Sequence, residues 1–224
     1  MIQERAELTR NKIIHGAAEA FAERGFAGTS LMEIVQLSGT TKGALYFHFG
    51  SKDRLAEEIR EHADEIWTGM ERLASCRCDG RAAVQAMIDF THLLTRNLAR
   101  DVVFRAGLRL DGEGGTPRER WIPLLRLLLA EAAPAPESAE GVEAILVAFV
   151  PGLEALSRRR PDRLDARTIT AVWRTLLPAL TTAPSAYLPA GRPHPHPGDP
   201  LGCGRPAARA AGAAEAAIRP GTSG

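Results

Sequence analysis

Apolar residues recur every three to four positions from Ile14 to Leu180, the period of helices that each bury one face. Ile14, Ala17, Ala18 and Phe21 place a first helix from about Arg5 to Arg24, which Gly25 ends. Ser30 and Glu33 form a capping box for a short second helix with Leu31, Ile34, Val35 and Leu37 on its apolar face. It stops at Ser38-Gly39, where glycine can take the left-handed backbone of a tight exit. Thr40 or Thr41 caps a third helix, long enough only for Lys42 to Phe47. Ser51 then opens a long helix from about Lys52 to Leu73, with Leu55, Ile59, Ala63, Ile66, Trp67, Met70 and Leu73 in one stripe.

The same periodicity predicts further helices from about Arg81 to Leu98 and from about Asp101 to Leu110, with Cys76 to Arg81 as a loop. Thr116-Pro117-Arg118-Glu119 combines a capping box with proline at the first helical position, and Trp121, Leu124, Leu125 and Leu128 follow on its buried side. Ala133 to Gly141 breaks the pattern with two prolines. Two longer helices come next, Val142 to Arg159, bent at Pro151-Gly152, and Asp165 to Leu180. Both are apolar around more of their circumference than a singly packed helix needs, which suits a four-helix interface between two copies of the chain. After Ala183 the composition changes, with eight of the fifteen prolines in the last stretch, and that tail is expected to be disordered. The reading is all-α: three helices over residues 1–51, a larger helical domain over 52–182, and a tail over 183–224.

Two short helices joined by a glycine turn have the form of a helix-turn-helix, whose second helix enters the major groove. Thr41, Lys42 and Gly43 present a hydroxyl, a cation and bare backbone, and Tyr46, one turn on, can reach a phosphate. Ser30, Thr40 and Lys52 flank them and complete the candidate contact set. Ala44 and Leu45 face back, while Phe47 and Phe49 are expected to wedge the recognition helix onto its neighbours. By periodicity alone, the same residues also fit a plain helical corner.

Charge sharpens this picture. The formal net charge is only +1, but Lys12, Lys42 and Lys52 are the chain's three lysines and all lie near the candidate reading head. Acids of the same region, among them Glu4, Glu7, Glu19 and Glu23, make the patch mixed. No apolar run approaches the ~20 residues that span a bilayer, and the N-terminal stretch lacks a signal-peptide core, so a cytoplasmic location is expected. Three cysteines, Cys76, Cys78 and Cys203, are too few for a disulfide framework, and reduced thiols are the default.

Thr29 to Leu55, TSLMEIVQLSGTTKGALYFHFGSKDRL, closely resembles the signature of the TetR family of transcriptional regulators. The resemblance implies a dimer that binds operator DNA and a larger helical domain that binds a small molecule. Narrower similarity reaches the γ-butyrolactone autoregulator receptors of streptomycetes, through Gln3-Glu4-Arg5-Ala6, DVVFRAGLRL, Trp121 and LSRRRPDRLDARTITAVWRTLLPAL. In those receptors the matching tryptophan lines the ligand pocket, which implies that role for Trp121, with Val103, Phe104, Leu108 and Leu125 as apolar neighbours of a lactone's acyl chain. Trp121 also fits a plain core position. The chain departs from the receptors in the short, Pro-rich AEAAPAPESAEG and in its lysine-free C-terminal half, which leaves room for a pseudo-receptor answering an antibiotic or a biosynthetic intermediate.

Other chemistry finds little footing. Glu58, His62 and Glu65 fall at helical spacings without the second Glu-x-x-His of a bundle metal site, and His194, His196 and Cys203 lie in the tail. There is no nucleophile elbow, P-loop or dinucleotide fingerprint, so neither an enzyme nor a cofactor is expected. The rival from another class is a helical small-molecule carrier whose helix-turn-helix no longer reads DNA.

Overall fold

The computed structural model describes residues 2–75, 82–113, 121–132, 136–160 and 163–191. Cys76, Cys78, the helix start at residues 116–119, His194, His196 and Cys203 lie outside them. Among the described residues every regular element is helical: α1 (Ile2–Gly28), α2 (Leu31–Ser38), α3 (Lys42–Phe49), α4 (Lys52–Ser75), α5 (Ala82–Arg100), α6 (Val102–Glu113), α7 (Trp121–Ala132), α8 (Pro136–Arg159), α9 (Ala166–Leu180) and a 3-10 turn at Pro184–Ala186. The fold is all-α, an N-terminal helix-turn-helix domain followed by a larger helical domain.

Apolar side chains gather in two cores. The first joins Ile13, Ala17, Phe21, Ile34, Leu45 and Phe49 of α1 to α3, and it extends past residue 51 to take in Leu55, Ala56 and Ile59 of α4 and Val103, Ala106 and Leu110 of α6. The second takes the rest of α4 from Ala63 to Ala74, Phe104 of α6, and the buried faces of α5, α7, α8 and α9, with Trp173 fully enclosed. Three short helices bury little surface, so the first core borrows from its neighbours. α4 and α6 therefore belong to both cores.

The two shared helices cross in backbone contact. A Cβ at Gly107 would lie 2.3 Å from Ala63 Cβ and 2.8 Å from the Ile59 carbonyl oxygen, so only glycine allows this approach. The far end of α6 grips α1. Gly25, with φ 75°, breaks α1 as the sequence predicts, and the freed groups find partners on α6. Arg109 donates to the carbonyls of Ala22 and Glu23 at 2.9 and 2.7 Å, and the Phe26 N–H donates to Glu113 at 2.8 Å.

Two expectations are revised. The break at residues 133–141 is shorter than the sequence suggests, because Pro136 opens α8, a position where the missing N–H costs nothing. Residues 183–191, read from composition as the start of a disordered tail, run along α5. The Leu188 N–H donates to Gln85 Oε1 at 2.9 Å, Gln85 Nε2 donates to the Leu188 carbonyl at 3.2 Å, and His92 Nε2 donates to the Pro189 carbonyl at 2.9 Å. Polar bonds hold a segment too poor in apolar residues to pack a core of its own.

Candidate DNA-reading surface and effector cavity

Local capping builds the candidate reading head. Ser30 Oγ accepts the Glu33 N–H at 3.2 Å to start α2, and Gly39, with φ 60°, ends it. Glu33 completes only half of the capping box: its carboxylate reaches Arg24 Nε at 3.0 Å rather than turning back. Thr41 Oγ1 accepts the Ala44 N–H at 3.1 Å and so starts α3, while Thr40 Oγ1 and Ser38 Oγ share a hydrogen bond of 2.7 Å in the turn. Gly16 lets the end of α2 rest on α1, because a Cβ there would lie 2.6 Å from the Ser38 nitrogen.

Leu45 and Phe49, one turn apart, anchor α3 in the first core. Thr41, Lys42, Gly43 and Tyr46 are exposed, and Lys42 Nζ lies 5.8 Å from the Tyr46 ring centre. Four of the candidate contacts thus share one outward surface, with Ser30 exposed at the start of α2 and Thr40 half-buried in the turn. Phe47 is a correction. It is 82% exposed and wedges nothing, because Leu45 and Phe49 occupy the inward face and position 47 falls opposite them. Lys52 does not share that outward surface. Its Nζ donates to the Thr29 carbonyl at 2.6 Å and lies 4.2 Å from the Phe26 ring centre, so the half-buried cation ties α4 to the α1–α2 connection instead of facing outward.

Trp121, Leu125 and Leu128 of α7 face Met87, Phe90 and Thr91 of α5, Leu146 of α8 and Trp173 of α9 around an apolar cavity. The open space at its centre is about 20 Å³, room for a water molecule and no more. Its polar group is Thr91, whose Oγ1 accepts the Trp173 indole N–H at 2.7 Å and donates to the Ile88 carbonyl at 2.9 Å. Of the five candidate ligand residues, the structure brings Trp121 and Leu125 to this cavity. Phe104 and Leu108 pack in or against the same core without lining it, and Val103 belongs to the first core.

Residues 13–59 match the family described as bacterial regulatory proteins, tetR family. Over 190 residues the chain is 30% identical to the A-factor receptor protein of Streptomyces griseus, a stretch covering 80% of this chain and 66% of that protein. CprB of Streptomyces coelicolor A3(2), a TetR family protein, superposes with a TM-score of 0.62 at 32% identity, over 83% of this chain and 96% of that chain. This chain belongs to the TetR family.

Two further structures match. A γ-butyrolactone receptor, an ArpA-like protein, gives a TM-score of 0.59 at 30% identity over 76% of this chain and 88% of that chain. CprB in complex with its operator sequence gives 0.57 at 34% identity over 77% and 88%. The chain spans just under two thirds of the A-factor receptor's length. The TetR-family relatives it matches are transcriptional regulators, not enzymes. Among the described residues, no helix is long and apolar enough to cross a membrane.

Glu58 and His62, considered for metal, have other partners in this TetR-family chain. Glu58 pairs with Arg10, and His62 Nε2 lies 3.5 Å from Asp101 Oδ2. The hydrogen bond to Asp101 raises the His62 pKa against the opposing effect of burial. Burial pushes the Asp101 carboxyl up, but His62 and the Phe104 N–H together bring it below its ordinary value. The cavity residues that sequence reasoning did not assign to the ligand are Met87, Phe90, Thr91, Leu124, Leu128, Leu146 and Trp173. Helical spacing identifies them as core, and nothing in a helical stripe separates core that lines a cavity from core that does not.

Proposed function

We propose that this TetR-family chain is a homodimeric transcriptional repressor that residues 1–51 seat on operator DNA and that a small molecule, of γ-butyrolactone type, releases through residues 52–182. The observation that carries the reading is the outward surface of α3, where Lys42, Gly43 and Tyr46 stand exposed on a helix anchored from behind by Leu45 and Phe49. Lys42 and Gly43 approach base edges, and Tyr46 and Thr41 take phosphates. Support for the partners comes from likeness to an operator-bound CprB and to a butyrolactone receptor. Ile145 and Leu156 of α8 are exposed apolar residues and suit the face that a second copy covers, which sets two recognition helices about 34 Å apart. Such a regulator works in the cytoplasm.

The effector enters between α5, α7, α8 and α9. Because the cavity is nearly filled, a lactone with an acyl chain has to push side chains apart, and α4 and α6, which share that core, shift with them. Release needs only that the effector favour the shifted form by a few kcal/mol. A gel shift with the DNA upstream of the coding sequence tests this. The expected result is a dimer-sized retarded band that a γ-butyrolactone abolishes. A band that persists with lactone but yields to another metabolite makes this a pseudo-receptor. No band at all favours the carrier reading.

A further inference from the structure

We propose that residues 183–191, the strap that follows α9, are a latch: docked on α5 they hold the apolar cavity closed, and the effector binds the molecules in which they have let go. The inference rests on the reading of that cavity as the effector's site. By helical spacing Met87, Phe90 and Thr91 fall on one face of α5, where they line the cavity, and Gln85, Asp89 and His92 fall on the other. Gln85 and His92 hold the strap. α9 supplies Trp173 to the same cavity and leads, through the 3-10 turn at Pro184–Ala186, into the strap itself. Two walls of the cavity are thus tied together from outside it.

The docking is specific. Both ends of the Gln85 amide are spent on Leu188, Oε1 accepting its N–H at 2.9 Å and Nε2 donating to its carbonyl at 3.2 Å. Asp89, 4% exposed, fixes which way round the amide sits, because a carboxylate only accepts and Gln85 Nε2 donates to it at 2.9 Å. Two turns further along α5, His92 holds the Pro189 carbonyl, and the strap turns over the His92 ring at Gly191. Gly191 has φ 72°, and a Cβ there would lie 3.0 Å from His92 Cδ2, an approach that suits glycine.

Specific is not the same as strong. Hydrogen bonds of this kind exchange at small net cost for bonds to water, and Tyr187 alone of the strap packs on the second core, so the strap lets go more readily than the helices it joins. The cavity gives that release its consequence. Only about 20 Å³ is open at its centre, so a lactone with an acyl chain enters when α5 and α9 part, and parting them works against the strap. Apparent affinity is the intrinsic affinity scaled by the fraction of competent molecules, and the docked strap sets that fraction.

Two variants of the full chain move the latch in opposite directions. Gly191→Val detaches it, since a branched side chain meets both the positive φ and the His92 ring. His92→Cys with Gly191→Cys locks it, because a Cβ at position 191 would lie 3.4 Å from that of residue 92, close to the ~3.8 Å of a disulfide. Cys76, Cys78 and Cys203 are replaced by serine in that chain, and its reduced form is the control. Binding of 2-octanoyl-γ-butyrolactone is followed by tryptophan fluorescence, and amide hydrogen exchange at residues 87–91 is measured without ligand. Gly191→Val should bind the lactone about fivefold more tightly than the wild type, and the disulfide form about fivefold more weakly than its reduced form, with exchange faster and slower to match. Exchange that ignores the strap in both variants, or a lactone that binds the locked and reduced forms equally, would overturn the latch. A lactone that binds no form, with exchange still following the strap, would sink the effector assignment and leave the latch standing.

Discussion

The reading head and the effector cavity solve opposite problems with the same kind of element. On α3 the side chains proposed to meet DNA point outward, and a different set, Leu45 and Phe49, holds the helix down. In the cavity the side chains proposed to meet an effector are themselves the core: Trp121 is 4% exposed and Trp173 fully enclosed. Function and stability are therefore separable in the first region and fused in the second.

The strongest test of that contrast is Trp173→Ala, which removes a large buried ring and leaves Thr91 Oγ1 without its indole donor. A loss of ~3–5 kcal/mol in urea-denaturation stability is expected, together with any effector response. Next comes the crossing that joins the two regions. Gly107→Ala drives a methyl into Ala63 and the Ile59 carbonyl, and should cost ~1–3 kcal/mol. Ala63→Gly in the same chain should restore part of it, because the nearest clash is with the Ala63 methyl.

Lys42→Ala probes the outward side. Operator affinity should fall by ~1–3 kcal/mol while the melting temperature stays put. Lys52 sharpens the division further, since it was expected on phosphate and is half-buried on the Thr29 carbonyl. Lys52→Met should cost ~1 kcal/mol of stability by losing the bond to the Thr29 carbonyl, and should leave the salt slope of operator binding unchanged. A slope reduced by about one would return Lys52 to the DNA.

The smallest effect is the pH dependence at the α4–α6 contact. His62 has a raised pKa in the folded chain, so its stabilisation is complete below the ordinary value of 6.5 and is lost as pH rises through the raised one. Asp101 has a lowered pKa, so its share is complete above 3.8 and is lost as pH falls through the folded value. His62→Gln should flatten the stability profile above pH 6.5, and unfolding midpoints measured across that range check it.

How much could be read in advance follows the range of the interactions. Ser30, Gly39, Gly25 and Thr41 act on backbone groups a few positions away, so residue type and spacing alone announce the helix-turn-helix. Phe47 and Phe49 show where this fails: both are aromatic, and only the rotation of α3 against its neighbours sends one inward and the other into solvent. Lys52 shows it again, because its partner Thr29 is 23 residues away. Val103 was grouped with Phe104 as lactone contacts, yet the two neighbours on α6 face different cores.

Helix count, caps, breaks and the exposed basic turn came from the order of residues, since each depends on contacts within a turn or two of chain. Which apolar stripes meet around a void and which cation is tied down depended on how the helices pack together. That packing is set by side chains up to a hundred positions apart, whose meeting no local pattern encodes.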